Sequence, residues 1–304
     1  MPLQNAILIN RNLPPPDELV RISDIWSSTY GSPPIGAEAS KQAAWLKPVT
    51  ETSKALLATS LSTERESAIL KAAETRHSGD WLQTLPISSC GLRLDDEAIR
   101  IAVSLRLGLD ICLPHRCRCG SEVDCFGSHS FICKFAKGKG ARHFAINDIF
   151  ARALASAGFP NTKEPTGLIK GEGKRPDGMT LVPWRQGRPL AWDATISTPL
   201  ASSYVHLSAK NAGASAEAAE IKKTAKYAHL APGIAFQALA LDSLGGASNS
   251  TKRFIDEIGH KLSGVTFDPT ETAHLWQQIS ICINRYNALL VSESFDDTNR
   301  TPDE

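Results

Sequence analysis

The chain has 304 residues, 42% of them hydrophobic, which is enough for one large domain or two to three small ones. Lysine and arginine number 33 and aspartate and glutamate 32, so the overall charge points to neither a nucleic-acid nor a membrane partner. No stretch approaches the roughly 18 consecutive apolar residues of a membrane span, and the N-terminus lacks the basic start and apolar core of a secretory signal. We therefore expect an intracellular protein with no membrane partner.

Residues 1–110 alternate helical patterns with breaks rich in proline, serine and threonine, which predicts a helical N-terminal region. Thr63 and Glu66 have the spacing of a capping box ahead of SAILKAAE. The pair Asp95 and Asp96 stands ahead of EAIRIAVSLRLGL, where the carboxylates would complement the N-terminal dipole of a further helix.

A compact cysteine cluster follows, and residues 111–140 form a predicted zinc module with a basic linker. The seven cysteines are odd in number and four of them fall within 17 residues, which favours a metal site over disulfides. Cys117, Cys119, His129 and Cys133 match a closed structural zinc site. Three alternatives stay open: Cys125 replaces one ligand, the zinc is catalytic, or the thiols bind no metal.

The linker KFAKGKGARH concentrates positive charge and glycine directly after the cysteines. Lys137, Lys139, Arg142 and His143 are candidates for contacts to nucleic-acid phosphates, because basic side chains on a closely approaching backbone suit such contacts. A solvated linker would have the same composition, so this alternative also remains.

Residues 141–245 read as an α/β (α+β) core. An amphipathic helix over residues 142–158 is followed by strand candidates at 164–169, 177–182 and 190–197, a helix at 214–229 and a strand at 234–241. The order is αβββαβ. Residues 246–294 predict a C-terminal helical extension, with helices near 252–262 and 270–290, and residues 295–304 a disordered acidic tail.

Two aspartates lie on the predicted hairpin KRPDGMTLVPWRQGRPLAWDAT. Period-two alternation places Asp193, Thr195 and Ser197 on the face opposite Leu190, Trp192, Ala194 and Ile196. Asp177 and Asp193, on adjacent strands, can share an Mg²⁺ or Mn²⁺ ion that takes its other ligands from water and a substrate phosphate. The alternatives are a turn aspartate before Gly178 and a structural salt bridge for Asp193.

The nuclease signature PD…(D/E)xK places a lysine two residues after the second acid, whereas this chain has Thr195 there. A positive charge near the attacked phosphorus can come instead from the next helix, AEIKKTAKYAHL, through Lys222, Lys223 or Lys226. An ordinary solvated helix face would carry the same residues.

These motifs together resemble the C-terminal portion of a non-LTR retrotransposon polyprotein with a Cys/His zinc motif and a restriction-like PD-(D/E)xK endonuclease domain. The resemblance runs over residues 45–295 and rests on WLQTLP, CGLRLDDEAIR, the cysteine motif, GKRPDG, WDAT and KKTAKY, in that order. It implies a restriction-endonuclease-like core similar to archaeal Holliday junction resolvases. It also implies that residues 1–110 connect to a reverse transcriptase that is missing from this chain.

The resemblance implies the following roles. Asp177 and Asp193 bind Mg²⁺ or Mn²⁺, Lys223 or Lys226 acts at the phosphate, Glu164 is a candidate third acid, and Arg175 contacts DNA. The spacing of 16 between the two aspartates is slightly long for the family, and the CxC pair is short.

The leading hypothesis is an Mg²⁺-dependent endonuclease that nicks duplex target DNA, with structural zinc, element RNA as a second partner and the nucleus as its compartment. The alternative is a catalytically inactive, zinc-containing nucleic-acid-binding protein derived from a retroelement. A purely structural interaction protein ranks third.

Overall fold

The computed structural model describes residues 17–168, 175–231 and 233–295, which form ten α-helices and six β-strands. The chain is a mixed α/β protein, as its sequence predicts. It divides into two compact units, Met1–Ser62 and Thr63–Glu304. Within the described ranges, no helix has both the length and the apolar character needed to cross a membrane. Most of the predicted acidic tail, residues 296–304, lies outside the described residues.

The first unit contains two helices, α1 (Asp17–Tyr30) and α2 (Gln42–Ser60), with a 3₁₀ turn at Gly36–Ser40 between them. An aromatic contact joins the helices, since the Trp26 and Trp45 rings lie 5.1 Å apart. The Trp45 indole also donates to the carbonyl of Ala39 at 2.9 Å. The described part of this unit, residues 17–62, is therefore largely helical.

The second unit contains the remaining elements. Its helices are α3 (Glu64–Glu74), α4 (Asp96–Leu107), α5 (Ser128–Ile132), α6 (Gly138–Ser156), α7 (Val205–Lys210), α8 (Ala214–Lys226), α9 (Asn249–Thr266) and α10 (Glu271–Ser292). Its strands are β1 (His115–Arg116), β2 (Glu122–Val123), β3 (Asn161–Lys163), β4 (Gly178–Thr180), β5 (Leu190–Ser197) and β6 (Ala235–Asp242).

Local capping chemistry places the helix starts where the sequence predicts them. Thr63 and Glu66 form the reciprocal hydrogen bonds of a capping box at α3. The Asp95 side chain accepts from the backbone N–H of Ala98 and caps α4. Each cap satisfies N–H groups that have no partner within the helix, so both predictions are confirmed.

The main sheet has the order β3-β4-β5-β6, with antiparallel pairs up to β5 and a parallel pair between β5 and β6. The connection from β5 to β6 runs through α7 and α8, which is the kind of crossover that parallel neighbours require. Strands β1 and β2 form a separate antiparallel hairpin. From α6 onward the order is αβββ, then α7 and α8, then β6, so the predicted element order is present with one additional short helix.

A tight turn closes the β4–β5 hairpin. Arg185 bridges to Arg188, and the two residues between them, Gln186 and Gly187, have φ angles of 51° and 72°, as in the two-residue turns that suit twisted strands. Gly178 faces Trp192 across the strands, and a Cβ at Gly178 would lie 2.1 Å from the indole. Glycine is therefore required after the first aspartate for Trp192 to pack on the sheet.

The sheet is covered on both sides, which sets the environment of its polar residues. Leu190, Trp192 and Ala194 of β5 enter the main apolar core with residues of α6, α9 and α10. On the other face, α8 packs on β6 through Ala216, Ala219 and Ala240. Asp193 faces α8 and is buried beneath it, so this residue of the predicted polar face of β5 is shielded from solvent.

One predicted strand is wrong. The sequence predicts a strand at 164–169, but the strand is Asn161–Lys163. Glu164 has a φ of +48°, Pro165 has no N–H to donate, and Gly167 has a φ of +78°. These features end the strand after one further backbone bond, from Glu164 N–H to the Asp177 carbonyl at 2.9 Å. Residue 169 lies outside the described part of the chain.

Candidate active site and metal-binding group

Asp177 and Asp193 lie beside each other on neighbouring strands. The register pairs Gly178 with Trp192, and Asp177 N–H donates to the Trp192 carbonyl at 2.9 Å. Continuing this register by one residue places Asp177 opposite Asp193. The Asp177 carboxylate reaches across to β5, where its Oδ2 accepts from the N–H of Ala194 at 2.6 Å.

Asp193 is almost fully buried, with its side chain 3% exposed, and it is surrounded by donors from α8 and the residue that follows it. The Lys223 ammonium donates to Oδ1 and the Tyr227 hydroxyl donates to Oδ2. The Lys226 ammonium lies 3.7 Å from Oδ2. An ionised carboxylate survives burial only when it is paired in this way.

Tyr227 has the character of a fixed hydrogen-bond donor. Burial raises the pKa of its phenol well above the usual range, and the hydrogen bond to Asp193 and the charges of Asp193 and Asp177 raise it further. The phenol therefore stays protonated and donates to Asp193, while the Lys226 ammonium donates to the phenolic oxygen at 2.9 Å.

Helix α6 supports Asp177 from the other direction. His143 Nε2 lies 3.0 Å from Asp177 Oδ1. One turn later, the Asn147 amide donates to the Asp177 carbonyl at 3.2 Å and accepts from the Trp192 indole N–H at 2.7 Å. Since residues four apart lie on the same helix face, these two side chains fix the first aspartate relative to the helix.

An open groove of about 440 Å³ adjoins the lysines of α8. Its polar lining includes four lysines, a tyrosine and the hydroxyls that follow Asp193 on β5, namely Lys139, Lys222, Lys223, Lys226, Tyr204, Thr195 and Ser197. Lys222 also donates to the Tyr204 hydroxyl at 2.8 Å. Burial lowers the pKa of Lys139, and the nearby Arg142 charge lowers it further. The groove therefore concentrates basic side chains next to the β5 residues that follow Asp193.

The other predicted site residues lie in different surroundings. Glu164 is paired with Arg175 at 2.6 Å, and both side chains are more than half exposed. Arg142 is buried between α6 and α10 and donates to Asn287 Oδ1 at 3.0 Å, so a phosphate cannot reach it in this structure. Lys137 precedes α6 and lines a cavity of about 270 Å³ beside the cysteines.

The four predicted zinc-binding residues converge. The ligand atoms of Cys117, Cys119, His129 and Cys133 all lie within 4.8 Å of one another, so the group can hold a metal ion. The Cys117 and Cys133 sulfurs are 3.8 Å apart. Two thiolates at about 2.3 Å from a tetrahedral zinc ion would be separated by about 3.8 Å. His129 Nε2 lies 3.0 Å from Cys119 Sγ.

The β1–β2 hairpin and α5 position these ligands. Cys117 N–H donates to the Ser121 carbonyl at 2.8 Å, which closes a tight loop carrying Cys119. Hydrogen bonds from Ser121 lower the pKa of Cys119 to about 6, whereas burial raises the pKa of Cys117 to about 11. Cys125 lies outside the group, and the neighbouring Asp110 carboxylate raises the pKa of its thiol.

Sequence reasoning missed two parts of this arrangement. It gives Asn147 no role, and it assigns His143 to a phosphate-contacting linker although His143 contacts Asp177. Their spacing could have indicated a shared role, because two polar residues four apart on an amphipathic helix lie on the same face. Tyr227 belongs to the KKTAKY motif, but the sequence gives it no separate role.

Comparison with protein-family models gives no match, and a search of curated protein sequences gives no significant match.

Proposed function

We propose that this chain is the restriction-like endonuclease region of a non-LTR retrotransposon, a PD-(D/E)xK enzyme that uses Mg²⁺ or Mn²⁺ to nick duplex DNA. One observation carries the proposal. A lysine from α8, Lys223, binds the buried second acid of a PD…D pair, where the sequence lacks the usual lysine on the strand. The helix supplies the charge that Thr195 cannot.

The donor set suits a hard divalent cation. Asp177 and Asp193 offer carboxylate oxygens on adjacent strands, which are the ligands that Mg²⁺ prefers. Lys223 and Lys226 lie against Asp193 in this structure, and a cation bound there would replace part of this pairing. A bound Mg²⁺ would supply an activated water and neutralise charge on the scissile phosphate. Asp177 and Asp193 are the residues that would hold it.

The chain's own groups have separate tasks in this proposal. Lys223 also lines the groove, so its flexible stem can carry the ammonium from Asp193 to a phosphate oxygen. There it would stabilise the charge that develops during cleavage. Tyr227 stays protonated and holds Asp193 in place, and Asn147 and His143 hold Asp177.

The lysine-lined groove is the proposed path of the DNA backbone, and the Cys/His group is proposed to hold a structural zinc ion that orders the segment before α6. Element RNA as a second partner and action in the nucleus belong to the same proposal. The restriction-endonuclease-like fold is supported by the αβββαβ order and the mixed sheet.

A plasmid assay tests the function. The chain with its zinc retained is expected to convert supercoiled plasmid to the nicked form in Mg²⁺ or Mn²⁺, and to leave it intact without a divalent cation. Asp177→Asn is expected to lower the rate by about 10²-fold or more, because a neutral amide is a poor cation ligand. Asp148→Asn is the matched control, since Asp148 pairs with Lys163 and Arg152 on the surface of α6.

A chain that binds the plasmid but never nicks it, with Mg²⁺ or Mn²⁺, would refute the endonuclease and favour the inactive nucleic-acid-binding protein. One feature of the structure favours that alternative. Lys223 and Tyr227 already donate hydrogen bonds to the two oxygens of Asp193. Equal nicking by the parent and by Asp177→Asn would refute the assignment of the site.

The groove makes a separate prediction about DNA affinity. Replacing both Lys139 and Lys222 by alanine is expected to weaken DNA binding and to reduce the slope of log affinity against log salt by about 0.9 for each phosphate that the variant no longer neutralises. Fluorescence anisotropy over a range of salt concentrations measures this slope. Lys71→Ala, on α3 and paired with Glu74, is the control that should leave it unchanged. An unaltered slope in the double variant would place the DNA elsewhere.

A further inference from the structure

We infer that His143 is a nitrogen ligand of the divalent cation at Asp177, and that it makes the site prefer Mn²⁺ to Mg²⁺. This inference rests on the proposed function and adds a ligand that the PD-(D/E)xK signature does not contain. The main evidence is the position of His143 Nε2, which lies 3.0 Å from Asp177 Oδ1.

The geometry pairs Asp177 Oδ1 with the His143 imidazole, and a cation would bind between these two atoms in place of their direct contact. Oδ2 is occupied by the Ala194 N–H at 2.6 Å, so Oδ1 is the oxygen that faces His143. Two adjacent ligands of an octahedral ion, with bonds of about 2.1 Å at right angles, lie about 3.0 Å apart. The observed separation matches that value.

His143 is held in place and is also accessible. The α6 helix is fixed to the hairpin one turn away, where Asn147 bonds both the Asp177 backbone and the Trp192 indole. The His143 side chain is 37% exposed and the Asp177 side chain 16%, so an ion from solvent can reach both. A ligand pair that is preformed in this way loses little conformational entropy on binding.

Ligand type decides the preferred metal. Carboxylate and water suit Mg²⁺ and Mn²⁺ alike, whereas imidazole binds transition metals better than it binds Mg²⁺. A site made of Asp177 and Asp193 alone would distinguish the two ions weakly. A site that also contains His143 is expected to favour Mn²⁺.

Mn²⁺ itself is the probe. We expect the zinc-loaded chain to bind Mn²⁺ more tightly than Mg²⁺ by calorimetry, and the bound Mn²⁺ to show ¹⁴N modulation in pulsed electron paramagnetic resonance. His143→Ala and His143→Gln are both expected to remove the modulation and weaken Mn²⁺ binding by about tenfold or more, with little change for Mg²⁺. Glutamine retains a hydrogen-bond donor to Asp177, so a residue that only positions the carboxylate would be rescued by it.

His206→Ala is the matched control, because His206 is also a helix histidine paired with a carboxylate, Glu64, at 2.5 Å. It should leave both the modulation and the affinities unchanged. Mn²⁺ bound at Asp177 without ¹⁴N modulation, or with equal losses for Mn²⁺ and Mg²⁺ in His143→Ala, would overturn the inference and leave the endonuclease standing. No Mn²⁺ binding by the parent, or binding unaffected by Asp177→Asn, would overturn both.

Discussion

Asp193→Asn is expected to reduce Mg²⁺-dependent plasmid nicking by about 10³-fold or more while DNA binding is retained. The substitution keeps the shape of the side chain and removes its charge. The cation then loses a ligand, and Lys223 and Tyr227 lose the carboxylate that positions them. The nicking rate at saturating DNA, measured beside binding by anisotropy, checks both parts of the expectation.

The same substitution should also lower the free energy of unfolding, by about 1–3 kcal/mol. Asp193 is buried, but the Lys223 side chain is 23% exposed, so the ammonium left without its partner can turn toward water and recover part of the loss. Adding Lys223→Met to Asp193→Asn removes the unpaired charge. Stability should then recover, whereas the nicking rate should not.

This pair of variants separates folding from catalysis. If the Asp193–Lys223 pair is only structural, the double variant regains activity together with stability. If Asp193 holds the cation and Lys223 acts at the phosphate, activity stays absent in a well-folded chain. Parental nicking by Asp193→Asn alone would refute the assignment of the site, because no cation site at this sheet could then depend on the second acid.

The sequence predicted most elements of the core, with the first strand misplaced and one short helix missed, because most of them have a local signal. Alternation over LAWDATIS predicts β5 and the direction of Asp193, and the turn residues around Gly187 predict the hairpin that brings Asp177 alongside. The lysine-bearing helix was predicted from its charge pattern. Each of these features depends on residues that are close together in the sequence, so it can be predicted without knowledge of the tertiary structure.

The roles of Arg142 and His143 depended on what packs against each face of α6, which the sequence left open. The prediction began the helix at residue 142, whereas α6 begins at Gly138. Arg142 then lies one turn before Ile146 on the face that packs inside, and His143 lies one turn before Asn147 on the face toward Asp177. Of these two adjacent basic residues, Arg142 therefore lies in the interior and His143 lies beside Asp177. This difference depends on tertiary packing.

Removal of zinc is the second large expected effect. Metal binding in such modules contributes on the order of 10 kcal/mol to folding, and the apolar cluster of this module is small, with Cys117, Val123 and Cys133 buried and Cys112, Cys119 and Ala136 partly buried against them. Loss of the ion should therefore unfold residues 111–133 locally. Cys117→Ser, or a zinc-selective chelator, is expected to abolish zinc binding and to remove hydrogen-exchange protection across this segment.

The effect should extend beyond the module because its residues hold the end of α10. The His115 ring stacks on Phe295 with centroids 3.8 Å apart and lies 2.8 Å from the Ser294 hydroxyl, and Arg118 donates to the Phe295 carbonyl. At the same end, Glu293 accepts from the N–H of Gly138, the first residue of α6. A freed module would loosen these contacts and the start of the helix that carries His143.

Hydrogen exchange at residues 138–143 and 290–295 therefore tests whether the zinc module supports the nuclease site. We expect faster exchange there in Cys117→Ser, with β5 and β6 still protected by the main core. Cys90→Ser, at an exposed cysteine outside the group, is the control and should retain zinc and protection. Cys125→Ser should also retain zinc, since Cys125 lies outside the metal-binding group. A parent protein that contains no zinc, or a Cys117→Ser variant with unchanged exchange, would show that the module folds without a metal.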